Sequence, residues 1–278
     1  MKRVGVVLLA VAVAACWPGY AWAQAAPAAV EDDVDLDLVP LQPDFSLITL
    51  PTTLRLPKYK SAFRVTHRFG RPLGDGDFAS LVEDLFGLDA GSQIGLEYRF
   101  GLLRGTQAGI HRTSNRTIQF FGEQDVWQQR DGHPVSIAAI ASIEGTNNFR
   151  GNYSPSLGAV ISRRIAAVAM VYAQPIWVNN VNPLPAAIVD DNDAVLLGLG
   201  TRIRIRPTVY VVGEVIPRVS GYDQGVHQAA FAIEKRAGGH SFQLNFSNAF
   251  GTTIGQIARG GTSNDDWYLG FNISRKFF

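Results

Sequence analysis

A two-residue rhythm runs through this chain and is plainest in its last fourteen residues, Asp265 to Phe278 (DDWYLGFNISRKFF). Trp267, Leu269, Phe271 and Ile273 share one parity; Tyr268, Gly270, Asn272, Ser274 and Lys276 share the other. Successive side chains on a strand point to opposite faces. One face is therefore apolar and aromatic, the other polar. The apolar parity continues through Phe277, is interrupted by Arg275, and is followed by Phe278.

The same alternation recurs from Ser61 onward in twelve candidate strands of about 8–12 residues. Phe63, Val65 and Phe69 alternate with Arg64, Thr66 and Arg68. Ile94, Leu96, Tyr98 and Phe100 alternate with Gln93, Gly95, Glu97 and Arg99. His111 shares a parity with Gln107 and Gly109. Glu123 and Asp125 lie opposite Phe120 and Val126. Further along, Arg202 and Arg204 oppose Ile203 and Ile205, Glu214 opposes Val215, and Glu234 opposes Ile233. The stretch 166–178 is apolar at both parities and does not declare its faces.

After residue 15 no apolar run approaches the roughly 18 residues a spanning helix needs. Lipid leaves unpaired backbone groups unsatisfied, so a membrane-inserted form of this chain has to be a closed barrel. Strand length and an even strand number fit that architecture. The connections support it: 70–91, 145–155, 179–192, 217–226 and 251–264 are long, whereas those near Gly101, Arg164, Pro207 and Gly238 are tight. The expectation is an all-β, transmembrane, antiparallel up-and-down β-barrel of about twelve strands over residues 58–278, with a short helix in the first long loop. That helix is expected within Phe78 to Leu88, where Phe78, Leu81, Val82, Leu85 and Phe86 fall at helical spacing.

The N-terminus sets the compartment. Met1, Lys2 and Arg3 precede a 12-residue apolar run, Val4 to Ala15, and Ala21-Trp22-Ala23 supplies a small-x-small cleavage site. Residues 1–23 read as a cleaved signal peptide; lipidation at Cys16 is the alternative. Cys16 is the chain's only cysteine, so a product cut after Ala23 has no disulfide or thiolate metal site. Residues 24–57 differ in composition, with the acidic stretch Glu31 to Leu38 and Pro40, Pro43, Pro51 and Pro57. They form either a periplasmic extension or a segment tucked into the lumen.

Twenty-five Lys+Arg balance twenty-four Asp+Glu, which gives no sign of a nucleic-acid partner. The chemistry lies on the inward parity. Arg64, Arg68, Glu97, Arg99, His111, Glu123, Arg202, Arg204, Glu214, Glu234 and Lys276 are the candidate lumen residues. Buried charges must pair or stay hydrated. The lumen is thus either closed by salt bridges or a narrow wet pore whose basic side favours anions. The five histidines form no zinc-binding pattern, and Asp190, Asp191 and Asp193 lack the spaced glycine and distal glutamate of a calcium loop. Ser162 and Ser247 have no evident pairing with His111. No catalytic residue, metal site, cofactor or enzymatic activity is expected.

HRFG (67–70), LFGLD (85–89) and IGLEYRFG (94–101) resemble the membrane-bound β-barrel family of unknown function known as domain of unknown function 5777. Here Arg99 and Phe100 separate Tyr98 from Gly101, a departure from that family's pattern. The final strand, with Trp267, Leu269, Phe271, Ile273, Phe277 and Phe278, resembles the barrel-closing strand of bacterial outer-membrane proteins. The resemblance implies a cell outer-membrane location, contact with outer-membrane lipid, and insertion by the barrel assembly machinery. The functional expectation is a passive, porin-like channel for small polar solutes, with both termini periplasmic. The alternatives are a structural or adhesion barrel with a closed lumen and a soluble periplasmic β-sandwich binding module.

Overall fold

Among the described residues, thirteen strands form one antiparallel sheet that returns to its own edge. In chain order they are β1 (Ser61–Pro72), β2 (Ser92–Leu103), β3 (Thr106–Thr113), β4 (Ile118–Trp127), β5 (Ser136–Gly145), β6 (Gly151–Ile165) and β7 (Ala169–Val178). They continue with β8 (Ala194–Arg206), β9 (Val209–Ile216), β10 (Arg218–Gly221), β11 (Gln228–Ala237), β12 (His240–Ser247) and β13 (Tyr268–Phe277). The computed structural model describes residues 39–84, 91–182 and 191–278. The signal peptide expected over 1–23, Cys16, the acidic stretch 31–38, the FGLD stretch and Asp190 lie outside the described residues.

Sequential strands pair from β1 to β8, β8 pairs with β9, β9 with β11, β11 with β12, and β12 with β13. β13 then pairs with β1, which closes the wall. The result is a twelve-stranded up-and-down barrel. β10 is a short continuation of β9 beyond Pro217 and pairs with the start of β8. Sequence placed those residues in a loop. The 13-residue β8 outlasts the 8-residue β9, and Arg218–Gly221 pair with its remaining backbone groups.

The outer face is a continuous apolar belt. Ile273 lies opposite Val65 on one neighbour and Phe242 on the other; Phe271 lies opposite His67 and Leu244. His67 stacks on Phe271, with ring centroids 4.8 Å apart. Leu96, Phe120, Leu157, Val211, Phe231 and Leu244 are all exposed, as lipid contact requires. Phe277 belongs to this belt. Leu269 is half-buried in β13, and Trp267 lies just before the strand, its ring 5.6 Å from that of Phe231. Phe278 lies beyond β13 and turns inward to pack with Phe45, Leu54, Leu56 and Ala62.

One loop expectation needs correction, and the expected helix is found. The connection read as long over 145–155 is short: β6 begins at Gly151, after the single turn α2 (Thr146–Phe149). Asn147, Asn148 and Phe149 take φ of 51°, 58° and 62°, which reverses the chain within a few residues. The helix α1 spans Phe78–Glu83 and is capped by Asp77, whose carboxylate accepts the Ser80 N–H at 2.9 Å. That hydrogen bond holds the Asp77 carboxyl below its ordinary range. Of the described members of its apolar set, Leu81 is buried and Phe78 and Val82 are exposed. A third helix, α3 (Ile254–Arg259), lies in the connection between β12 and β13.

Candidate functional site: the barrel lumen

Residues 39–57 run inside the barrel as a hairpin. Thr52 N donates to Phe45 O at 2.8 Å and Leu47 N to Leu50 O at 2.7 Å, so the chain reverses over Leu47-Ile48-Thr49-Leu50. The segment joins β1 through Lys58-Tyr59-Lys60, where Tyr59 N donates to Gly101 O at 2.7 Å.

The hairpin adds no strand to the wall, so side chains must satisfy its backbone. Arg202 donates to Ser46 O (2.8 Å), Gln243 to Leu47 O (3.0 Å), and both Arg64 (2.6 Å) and Asn272 (3.1 Å) to Ile48 O. Gln174, Gln128 and Gln107 take the carbonyls of Pro51, Thr53 and Leu54; Tyr210 donates to Pro40 O. At the tip, the amides of Ile48, Thr49 and Leu50 all converge on the Glu214 carboxylate at 3.0–3.2 Å. The Thr49 hydroxyl joins them. Successive amides turned to one side form an anion-binding concavity, and here a wall carboxylate fills it.

Apolar packing completes the fit. Leu41, Leu47, Ile48 and Leu50 form one buried cluster with Val160, Ile176, Val178, Leu196, Val212 and Ile216. Burial of each such side chain is worth about 1.5–3 kcal/mol relative to exposure. Gly200 faces Leu47: a Cβ there would lie 2.3 Å from Leu47 Cδ1. Of the two lumen states left open by the sequence, a closed lumen and a narrow wet pore, this is a closed one, and the hairpin closes it as well as the salt bridges. The inward face is polar on β11–β13 and β1–β4 and mixed on β5–β10, where the hairpin's leucines and Ile48 pack against the apolar residues. The ambiguous stretch 166–178 resolves the same way, with Met170, Tyr172, Gln174, Ile176 and Val178 buried inward.

Most candidate lumen residues form short-range groups. Arg99 bridges Glu97 (3.0 Å) and Glu123 (3.1 Å), and the Phe45 ring lies 5.3 Å from its guanidinium. Arg202 pairs with Glu234 at 3.0 Å, with both side chains fully buried. Arg64 lies 3.6 Å from Asp44 of the hairpin. Lys276 is buried beside the Phe45 ring at 5.4 Å. His111 is buried near Glu97 and Arg99, with Nε2 unpartnered. Arg68 is fully buried and has no carboxylate partner among the described residues. Arg204 stands apart at the tight-turn end, half-buried, donating to Ala167 O at 2.8 Å. Ser162 bonds Thr53 and Ser247 accepts from the Ala249 amide; neither hydrogen-bonds His111 among the described residues. Asp193 accepts from Trp177 and Asn179.

Sequence reasoning did not single out Arg55, Asp44, Asn272, Gln243 or Glu144. Arg55 pairs with Asp125 and with Asp131 (3.0 Å), fixing the outgoing limb of the hairpin. From the long-loop end, α3 descends into the lumen: Gly255 N donates to Glu144 at 2.9 Å, and Arg259 lies 3.6 Å from the same carboxylate. Gln256, Ile257 and Ala258 are buried. Between hairpin and α3 there remains a cavity of about 40 Å³ beside Glu97, Arg99 and His111, room for a few waters. Wider spaces of about 530 Å³ and 220 Å³ open at the tight-turn and long-loop ends.

Solved structures with this fold include a KdgM porin in complex with disordered oligogalacturonate and a NanC porin. The KdgM structure is 8% identical, with a TM-score of 0.50, over 79% of this chain and 99% of that one. The NanC structure is 9% identical, with a TM-score of 0.52, over 78% and 99%. No curated protein matches the chain. The family model described as "Membrane bound beta barrel domain" matches residues 44–277, which takes in the hairpin from Asp44 onward as well as every strand of the wall. The chain thus belongs to the membrane-bound β-barrel domain family DUF5777.

Proposed function

We propose that this barrel is an outer-membrane, porin-like channel for small polar solutes, held closed by the hairpin of residues 39–57. One observation carries the reading. The hairpin meets the wall only through side chains, and both its limbs leave by the tight-turn end, so withdrawing it breaks no strand pairing. What it uncovers on β1–β4 and β11–β13 is a surface of arginines, glutamates and amides, with the arginines favouring anionic solutes. The neighbours named as porins share the fold and lend support at that level.

In this reading the tight-turn end faces the periplasm, and insertion proceeds through the barrel assembly machinery, with lipid against the apolar belt. No catalytic role is assigned to any lumen residue. A second reading, a permanently closed structural barrel, is favoured by the apolar packing of Leu41, Leu47, Ile48 and Leu50. Ion current through planar bilayers separates the two. The full chain is expected to conduct rarely, and a variant lacking 39–57 to conduct steadily. Silence from the deletion variant, once shown to be folded by heat-modifiable migration on gels, removes the channel reading.

A further inference from the structure

Arg68 is unusual among the buried arginines. Arg64, Arg99, Arg202 and Arg218 each lie within 4 Å of a carboxylate; among the described residues Arg68 does not, although it is 0% exposed. Its Nη1 is committed, donating to His67 O at 2.9 Å and to Asn272 Oδ1 at 3.1 Å. Its Nε and Nη2 have no partner. Those two nitrogens form one edge of the guanidinium, the fork that matches the two oxygens of a carboxylate.

A second orphan lies beside it. Asn245 is fully buried, and neither atom of its amide has a partner. Both side chains lie over Gly270. A Cβ at that position would sit 2.6 Å from Asn245 Oδ1 and 2.8 Å from Arg68 Cδ, so the glycine makes the space in which they lie together. Buried polar groups in native proteins are nearly always paired, and leaving a guanidinium edge bare is costly. Bare polar groups gathered at one cleared position, the Nε and Nη2 donors of Arg68 and both ends of the Asn245 amide, therefore point to a ligand.

We propose that the Nε/Nη2 edge of Arg68, with the side-chain amide of Asn245, is a binding site for the carboxylate group of a transported solute. The assignment rests on the channel reading, because the solute has to enter the lumen. It also specifies how the site becomes accessible. Asn272 joins the site to the hairpin: its Oδ1 accepts from Arg68, and its Nδ2 donates to Ile48 O at 3.1 Å. Arg68 is enclosed while the hairpin is seated, so a carboxylate reaches the fork only as the tip moves away. A ligand that binds one of two states shifts the population toward it. Carboxylate solutes therefore favour the open barrel, and neutral solutes do not.

The test follows the hairpin rather than the current. In the full chain with Cys16→Ser, a Ser46→Cys reporter is buried in the lumen and reacts with a maleimide only when the hairpin leaves. Glucuronate and propionate, added at constant ionic strength, are expected to accelerate labelling several-fold; glucose is expected to leave it unchanged. Acceleration by glucuronate alone would assign the site to acidic sugars, and by both to carboxylates at large. The acceleration should vanish in Arg68→Gln and weaken in Gly270→Ala, which keeps every charge and stands in should Arg68→Gln fail to fold. Labelling indifferent to both carboxylates, or accelerated equally in the Arg68 variant, overturns the site. Since labelling needs no ion current, that failure is distinct from failure of the channel reading.

Discussion

The carboxylate of Glu214, on β9, accepts the backbone N–H of Thr49, 165 residues away, at 3.0 and 3.1 Å. Together with the neighbouring amides of Ile48 and Leu50, this fixes the hairpin tip by charge-assisted hydrogen bonds. Such bonds are worth about 1.5–3 kcal/mol net. Glu214→Gln keeps the shape, removes the charge and replaces one acceptor oxygen with a donor. The hairpin should loosen by about that much, and tryptic cleavage after Arg55 should accelerate about 10- to 100-fold. An unchanged cleavage rate would show that Glu214 does not hold the tip.

The socket for Leu47 makes a prediction that leaves all polar groups alone. Gly200→Leu fills the space that Leu47 occupies. Overpacking of a fitted interior costs about 1–3 kcal/mol. Here the cheapest relief is expulsion of the hairpin rather than distortion of the ladder. The variant should remain heat-modifiable and show raised ion conductance.

At the opposite end, Glu144→Ala deprives Gly255 of its acceptor and Arg259 of its nearest carboxylate. A lost buried partner costs about 1–3 kcal/mol. The effect should be confined to α3, so cleavage after Arg259 should accelerate while cleavage after Arg55 stays unchanged.

Arg99 is expected to matter for the barrel itself. Arg99→Ala leaves Glu97 and Glu123 buried without their shared cation. Breaking a buried ion network from one side costs about 3–5 kcal/mol. The urea midpoint for unfolding from detergent should fall accordingly, and much further than for Arg204→Ala at the half-buried tight-turn end.

The apolar belt is testable at Leu244, which is exposed and lies opposite Phe271. Leu244→Arg places a charge in the hydrocarbon zone, at a cost of about 2–4 kcal/mol if it lies near the midplane. Refolding into liposomes should be destabilised by that amount.

Much of this architecture is legible in the sequence because a barrel wall has a period of two. The facing of Arg64, Glu97, Arg202 and Glu214 follows from the apolar residues between them, and closure follows once that wall lies in lipid, where an open sheet edge would leave backbone groups unpaired. What alternation cannot convey is contact between distant segments. The stretch 166–178 looks apolar on both sides because Ile176 and Val178 meet Leu47, Ile48 and Leu50 inside while Val171 and Trp177 face outward. Nothing within that stretch identifies the inner partner. The hairpin itself carries no periodic pattern: its tip is set by carbonyls and amides reaching Gln243, Asn272 and Glu214, and backbone groups are the same in every sequence. The short β5–β6 connection was missed because left-handed conformations at three consecutive residues are rare outside glycine.

The covalent link between the hairpin and β1 governs how an open state would end. Only Lys58-Tyr59-Lys60 separate the two, and Gly101 anchors that link on the wall. An expelled hairpin therefore stays leashed at the mouth, at an effective concentration on the order of millimolar. Reclosure is a first-order event, indifferent to dilution and to how many copies share the membrane. Current through such a barrel should arrive as brief bursts whose length reports the strength of one molecule's own latch.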